Sequence, residues 1–417
     1  MTYPETVQFL YALGNEIKSA KLGLERIREL LHALGDPQRA YRVIHVAGTN
    51  GKGSTCAMIA AGLSAGGIRT GLFTSPHLQE PTERVQLDGL AVTPEAFEGA
   101  FNVVHQSAER LDLDCHPTYF ETVTAMAFWL FRERQIHTAV VEVGLGGRLD
   151  ATNVVEPALT VITPVDFDHE AMLGHTIEAI AAEKAGIVKA GVPLILSTQR
   201  PEAAEVIEAR AAELRAPVTH ARQFALRDLE IDARGSRFSG LVCPFAGEHQ
   251  IGNAVTAALA LEALGIPAQG IAEARWPGRL EHVAPNPDIL LDGAHNPAGA
   301  RALARYLERF YANRTIWMIY AGMRDKAIEE VAGILFPLAG HLIFTAAKSQ
   351  RSLRAEALIE LAGRGRAEPD IDAALAYAQS HASADDVIVI TGSLYLVGEA
   401  RTALSQHAPQ WPSLRID

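Results

Sequence analysis

The chain has 417 residues, 48% of them apolar and 21% charged, with a formal net charge of -12. That length exceeds one ordinary core and implies two or three globular domains. The acidic balance argues against a general nucleic-acid binder, whose affinity would rest on a basic face that neutralises phosphates.

Residues 5–34 carry helical periodicity in two pieces, Val7, Leu10, Tyr11 and Leu13, then Leu24, Ile27, Leu30, Leu31 and Leu34. Gly35-Asp36-Pro37 ends the second piece. From its residues alone, Lys21-Leu22-Gly23-Leu24-Glu25-Arg26 reads as a solvated helix start.

A β-branched run through Val43, Ile44 and Val46 stops at Gly48, and an amphipathic helix is expected from Ser54 or Thr55. This is a strand, a phosphate loop and a helix. Successive N–H groups in a glycine-rich turn converge on one concavity, the helix N-terminus adds partial positive charge, and Lys52 supplies a full one. The loop is a variant: only Thr49 and Asn50 separate Gly48 from Gly51, and Gly53 intervenes between Lys52 and Ser54.

After helix 55–65 and the stop signal Gly66-Gly67, a strand from Ile68 to Phe73 leads into Thr74-Ser75-Pro76-His77-Leu78. Ser75 and His77 thus follow a strand's carboxyl end, where open α/β sheets place ligands. Helices are expected from Pro94 to Leu111 and from near Thr118. Thr118 and Glu121 have capping-box spacing, so capping alone is one account of both and a functional role the other.

In the strand Ala139 to Val143, Glu142 interrupts an apolar run just before Gly144-Leu145-Gly146-Gly147. A carboxylate there suits a magnesium ligand facing a phosphate loop. The glycines are not a dinucleotide fingerprint, because Leu149 stands where the third glycine is required. A strand from Ala158 to Thr163 leads to Asp166-Phe167-Asp168-His169, followed by a helix from Thr176 to Lys189 and a strand from Val192 to Leu196. This alternation predicts an α/β fold, a mostly parallel sheet covered on both faces.

Short alternating runs from Gln223 to Pro244 predict a small antiparallel insertion, and His249-Gln250-Ile251-Gly252-Asn253 opens a helix reaching Leu264. His282 to Pro287, with two prolines, is the expected linker. It divides an N-terminal phosphate-loop domain, 1–285, from a smaller Rossmann-like α/β domain, 286–417. The latter has strands near Ile289, at 315–320, 341–344 and 387–391, and its length of about 130 residues suffices for independent folding. Cys56, Cys115 and Cys243 show no paired spacing, so neither a disulfide framework nor a thiolate zinc site is expected. With no signal-type start and no apolar run near the roughly 18 residues that span a bilayer, a cytoplasmic, unanchored protein is expected.

The strings Gly48-Thr49-Asn50-Gly51-Lys52-Gly53-Ser54-Thr55, Ser75-Pro76-His77-Leu78, Glu142 through Asn153, and Asp292-Gly293-Ala294-His295-Asn296-Pro297 resemble folylpolyglutamate synthase. That is the branch of the Mur ligase superfamily that often also acts as dihydrofolate synthase. The resemblance runs along essentially the whole chain, to Thr391-Gly392-Ser393-Leu394-Tyr395. It implies an ATP-dependent ligase joining L-glutamate to a folate or dihydropteroate carboxylate through an acyl phosphate.

By motif it assigns Gly48 to Thr55, Asn253, Arg279 and Asp292 to ATP. Ser75, Glu142 and His169 become magnesium ligands, with a second ion near Lys184 if that lysine is carbamylated. Lys52, Lys184 and His295 are the expected catalytic residues. Leu24, Glu25 and Arg26, with Thr118, Tyr119, Phe120, Glu121, Leu149, Asp150 and Ala151, form the implied pterin site and favour both synthase activities. From the residues alone, Asn253 also reads as a helix cap and Arg279 as a surface charge. Ser393 is a weaker candidate, and Lys348, Arg351 and Arg354 read as a solvated loop. A monomer is expected, and a monovalent cation is a further candidate cofactor.

Two rivals share part of this pattern. A phosphate-loop switch or kinase explains Lys52 and Glu142 but leaves the second domain without a role. Another Mur-type amino-acid ligase shares the loop and the chemistry and differs in its acid acceptor.

Overall fold

The computed structural model describes residues 1–14, 23–111, 116–324, 327–349 and 351–406; Lys21, Leu22 and Cys115 lie outside them. It divides into two compact units. The first is Met1–Asp166, Glu170–Ala225 and Gly252–Arg275; the second is Phe167–His169, Leu226–Ile251 and Trp276–Asp417. The division falls within helix His249–Ala263.

The first unit is built on eight strands: β1 (Arg42–Ala47), β2 (Thr70–Phe73), β3 (Val85–Leu87), β4 (Leu90–Ala91), β5 (Thr138–Glu142), β6 (Leu159–Ile162), β7 (Leu194–Leu196) and β8 (Val218–His220). Their order is β4-β3-β2-β5-β1-β6-β7-β8, with β2, β5, β1, β6, β7 and β8 parallel and β3 and β4 an antiparallel edge. β1 and β5 are buried at almost every position, as continuous apolar runs covered on both faces require. β1 lies between β5 and β6, pairing Val46 with Glu142 and with Val161. The loops at Gly48, Thr74, Val143 and Thr163 therefore leave one edge of the sheet.

On this unit's helical side, Leu10, Ile27, Leu30, Phe97, Phe101, Phe128 and Phe131 form one core. Each such side chain contributes about 1.5–3 kcal/mol on burial. Helix Pro94–Glu109 places Phe97, Phe101 and Val104 in it, at the three- and four-residue spacing of one helical face.

Two boundaries differ from expectation. Helix Lys52–Ala65 begins at the lysine instead of Ser54, because Gly51 takes φ 83° at its N-cap and turns the chain into the helix earlier. The expected linker is a strand. β9 (Glu230–Ile231), β10 (Ser236–Phe238) and β11 (Leu241–Cys243) form the antiparallel insertion, and β12 (Glu281–Ala284) then pairs antiparallel with β13 (Asp288–Leu291). The two prolines fall at the turn of that hairpin, where missing N–H donors cost little.

The second unit's main sheet has the order β12-β13-β17-β14-β15-β16, parallel apart from β12, with β14 (Ile316–Tyr320), β15 (His341–Phe344), β16 (Arg366–Ala367) and β17 (Val387–Thr391). Its core joins Leu290, Leu303, Leu307, Met318, Tyr320, Phe344 and Val389. Cys56 and Cys243 are buried free thiols. Among the described residues, no helix is long and apolar enough to cross a membrane.

Candidate active site

The phosphate loop follows β1 and is held open by contacts along its backbone. The N–H groups of Thr49 and Asn50 donate to the Pro164 carbonyl at 2.9 and 3.2 Å, and the Thr49 hydroxyl donates to the Asp166 carbonyl at 3.0 Å. Gly48 has φ 145°, and a Cβ there would stand 1.8 Å from Thr163 Oγ1. Gly51 is also left-handed, and its Cβ would stand 2.2 Å from Asn253 Oδ1. Both glycines are required, by backbone angle and by space.

The consequence is a helix N-terminus whose capping residue has no side chain. The N–H groups of the first turn of helix Lys52–Ala65 have no intrahelical acceptor by geometry, and they carry the positive end of the helix dipole. Lys52 Nζ donates to the Thr49 carbonyl at 3.2 Å, which folds the ammonium over the loop. The structure also brings Asn253 onto Gly51, and Asn253 is the fifth residue of helix His249–Ala263, not its cap.

Beside the loop, Glu142 ends β5 and is 4% exposed, and its Oε2 accepts from the Ser75 N–H at 3.0 Å. Ser75 and Glu142, from two neighbouring parallel strands, thus lie together. Lys184, equally buried on helix Ile177–Ala185, donates from Nζ to the Gly48 carbonyl at 2.8 Å. The loop's first glycine is therefore supported by a lysine far along the chain.

The segment 144–153 is fixed by its own aspartate. Asp150 accepts from the Leu145 N–H at 2.9 Å and the Thr152 N–H at 3.0 Å, while burial raises its pKa. His45 Nε2 lies 2.8 Å from Thr152 Oγ1 on the buried side of β1, and burial lowers its pKa to about 3. Arg148 N–H donates to the Glu183 carbonyl at 2.8 Å, tying this segment to the helix that carries Lys184.

The residues assigned to the pterin form a second cluster in this unit. Arg26 pairs with Glu121 through two bonds, Nη2 to Oε2 at 2.9 Å and Nε to Oε1 at 3.3 Å. Glu121 Oε2 also accepts from the Thr118 N–H at 2.8 Å, so the capping box and the ion pair share one carboxylate. Tyr119 is stacked on Tyr11 at 6.0 Å, and Phe120 lies 5.9 Å from Phe73. Leu24 is buried and Glu25 exposed. His77 is held between Tyr11 and Arg84, and burial with the nearby guanidinium pushes its pKa down to about 2.

In the second unit, Asp292 ends the strand run and accepts from the N–H groups of Leu280 and Ala294, both at 2.9 Å. Burial raises its pKa, opposed by the Arg279 guanidinium. Arg279 lies over Gly293, where a Cβ would stand 2.5 Å from Nη1. His295 and Asn296 approach Asp168 Oδ2 at 3.8 and 3.3 Å, and His169 has its own N–H on Asp168 Oδ1 at 2.9 Å. His169 therefore groups with Asp168, His295 and Asn296, in a different unit from Ser75 and Glu142. Ser393 is buried and accepts from the Tyr395 N–H at 3.1 Å, whereas Lys348 and Arg354 are exposed.

Residues 46–261 match the Mur ligase middle domain, and residues 278–394 match the Mur ligase glutamate ligase domain. The folylpolyglutamate synthase of Lacticaseibacillus casei is 36% identical across 97% of this chain and 99% of its own. The chain belongs to the folylpolyglutamate synthase/dihydrofolate synthase family. A second member, the dihydrofolate synthase/folylpolyglutamate synthase of Bacillus subtilis, is 36% identical over 92% of this chain and 95% of its own. The Mycobacterium tuberculosis folylpolyglutamate synthase complexed with ADP superposes with a TM-score of 0.90 at 33% identity, covering 96% of this chain and 97% of that one.

As a folylpolyglutamate synthase family member the protein is an ATP-dependent ligase, with ATP as its co-substrate. Sequence reasoning did not find Thr163, Pro164, His45 or Asp168 as supports of this family's motifs. A histidine inside the apolar run of β1 was the one visible signal for His45.

Proposed function

We propose that this protein extends folates with L-glutamate and also converts dihydropteroate and L-glutamate to dihydrofolate. The support is the open helix N-terminus at Gly51–Lys52 beside Glu142, in a chain whose Bacillus subtilis relative is named for both activities. In the first step a carboxylate oxygen attacks the γ-phosphorus of ATP, the bond to the bridging oxygen breaks, and ADP leaves. In the second, the glutamate amine attacks the acyl carbon of the acyl phosphate, phosphate departs, and the amine releases a proton as the amide forms.

The backbone of Gly48, Thr49, Asn50, Gly51, Lys52, Gly53, Ser54 and Thr55 holds the phosphates, and the Lys52 ammonium offsets charge on the transferring group. Asn253, Arg279 and Asp292 complete the ATP contacts. The Ser75 hydroxyl and Glu142 carboxylate are oxygen donors next to the loop, a set that fits magnesium. When bound there, magnesium would supply further positive charge against the phosphates; His169, the third ligand implied by motif, is a nitrogen donor and groups with Asp168 in the second unit.

A carbamate on Lys184 would retain an N–H for the Gly48 carbonyl while reversing the charge, and so provide for a second ion. His295 is the third catalytic residue of this proposal, and Ser393 a weaker candidate. Leu24, Glu25, Arg26, Thr118 to Glu121 and Leu149 to Ala151 take the pterin. We place the enzyme in the cytoplasm as a monomer, with a monovalent cation as a further candidate cofactor.

The deciding assay gives the protein magnesium-ATP, L-glutamate and either dihydropteroate or tetrahydrofolate, and reads product mass. Both products gain one glutamyl residue if the proposal holds. ADP formed without glutamate would point to a switch or kinase. Turnover only of a non-folate acid would point to another Mur-type ligase.

A further inference from the structure

A second cluster of ligand-type side chains stands apart from the residues assigned above. His105 and Glu109 are four residues apart on helix Pro94–Glu109, so they lie on one face, a turn from each other. His116 follows the helix, and one ligand atom from each of the three lies within 4.8 Å of the other two.

The ring nitrogens are prepared for a cation. His116 Nδ1 lies 2.8 Å from the Pro117 carbonyl oxygen, which can only accept, so Nδ1 carries the proton and Nε2 keeps its lone pair. Metal-bound histidines are oriented by this same kind of bond. His116 Nε2 and His105 Nδ1 are both buried without a hydrogen-bond partner among the described residues. Phe9 packs edge-on to both rings at 4.8 and 5.5 Å, and Phe101 stacks on His105 at 5.3 Å, which fixes the ring planes.

We propose that His105, Glu109 and His116 form a transition-metal site for a borderline cation such as Zn2+. Two imidazole nitrogens and one carboxylate suit zinc with a fourth position left for water, whereas magnesium prefers an all-oxygen shell. Ligand atoms about 2.0–2.1 Å from a tetrahedral ion lie about 3.3 Å apart, so the cluster contracts on binding, by inward rotation of the exposed Glu109. The ion clasps the end of helix Pro94–Glu109 to the segment entering helix Tyr119–Glu133. Since His116 is two residues before Thr118, it would also steady the approach to Thr118–Glu121.

The test is equilibrium dialysis of the full chain against Zn2+ in excess Mg2+, comparing wild type with the His105→Ala/His116→Ala double variant and with Glu109→Gln. Wild type should retain one zinc more than the double variant. Glu109→Gln should weaken that zinc by about tenfold or more, the loss caused even by removing an outer-shell partner of a metal ligand. Co2+ should give the strong visible bands of a four-coordinate site in wild type and not in the double variant. Circular dichroism without metal checks folding, and Glu109→Gln, altered only at an exposed carboxylate, decides the matter if the double variant misfolds. Equal zinc stoichiometry and affinity in wild type and variants, or no zinc retained by wild type, overturns the proposal.

Discussion

Two helices of the first unit begin in opposite ways. Helix Tyr119–Glu133 opens with a closed capping box, in which Thr118 Oγ1 accepts from the Glu121 N–H at 3.2 Å and Glu121 returns the bond to the Thr118 N–H. Helix Lys52–Ala65 opens on Gly51, which has no side chain to offer. The same orphan N–H groups exist at both ends. At Thr118 the box satisfies the Thr118 and Glu121 N–H groups inside the protein and stabilises the fold; at Gly51 no capping side chain does so. A missing cap is thus informative when the residue before the helix is held left-handed by surrounding structure.

Variants at the two ends should therefore fail differently. The largest effect is expected for Lys52→Ala: a loss of about 10³-fold or more in glutamate-dependent ADP formation, comparable with removing one key charge-stabilising donor, with an unchanged melting midpoint. A fall in stability with activity retained would break the contrast.

Glu121→Gln comes next. Glutamine still completes a capping box, so this change isolates the charge on Arg26, and about 2–3 kcal/mol of unfolding free energy should be lost in urea titrations. If Arg26 and Glu121 also face the pterin, the KM for dihydropteroate should rise while that for ATP stays fixed.

The third prediction concerns pH. His45, on the strand that feeds the loop, has its pKa pushed down by burial from the ordinary 6.5 to about 3. Below pH 6.5 the unfolded chain takes up a proton that the folded chain refuses, so stability falls as pH drops from 6.5 towards 3. At pH 5 this one group costs roughly 2 kcal/mol relative to neutral pH. A urea midpoint that falls by the same amount between pH 7 and pH 5 in wild type and in His45→Leu would contradict it.

The smallest effect is expected for Thr118→Ala. Loss of the cap should cost about 1 kcal/mol in the same titrations, with the kcat for glutamate addition close to wild type.

The legible part of this architecture was local. The strand–loop–helix at Val43 to Ser54 was readable because β-branched residues, glycines and a helical period succeed one another within a few turns. The hairpin of β12 and β13 reads as a linker in the sequence because Pro285 and Pro287 speak for a break, and nothing nearby reveals that the two strands pair. The start of helix Lys52–Ala65 differs from expectation for a related reason: glycine argues against helix in isolation, yet Gly51 turns left-handed and Gly53 is tolerated inside.

Sequence alone determined which short segments form the glycine-rich loop, the capping box and the strand-end carboxylate, since those depend on residue type and spacing of a few positions. Only the tertiary structure decided their partners. Arg26 meets Glu121 across 95 residues and Lys184 meets the Gly48 carbonyl across 136. Asn253 is brought onto Gly51, and Asp168 is drawn to His295 and Asn296. Such pairings follow from parallel strand order and helix packing, which set where chain ends emerge, and no local period records them.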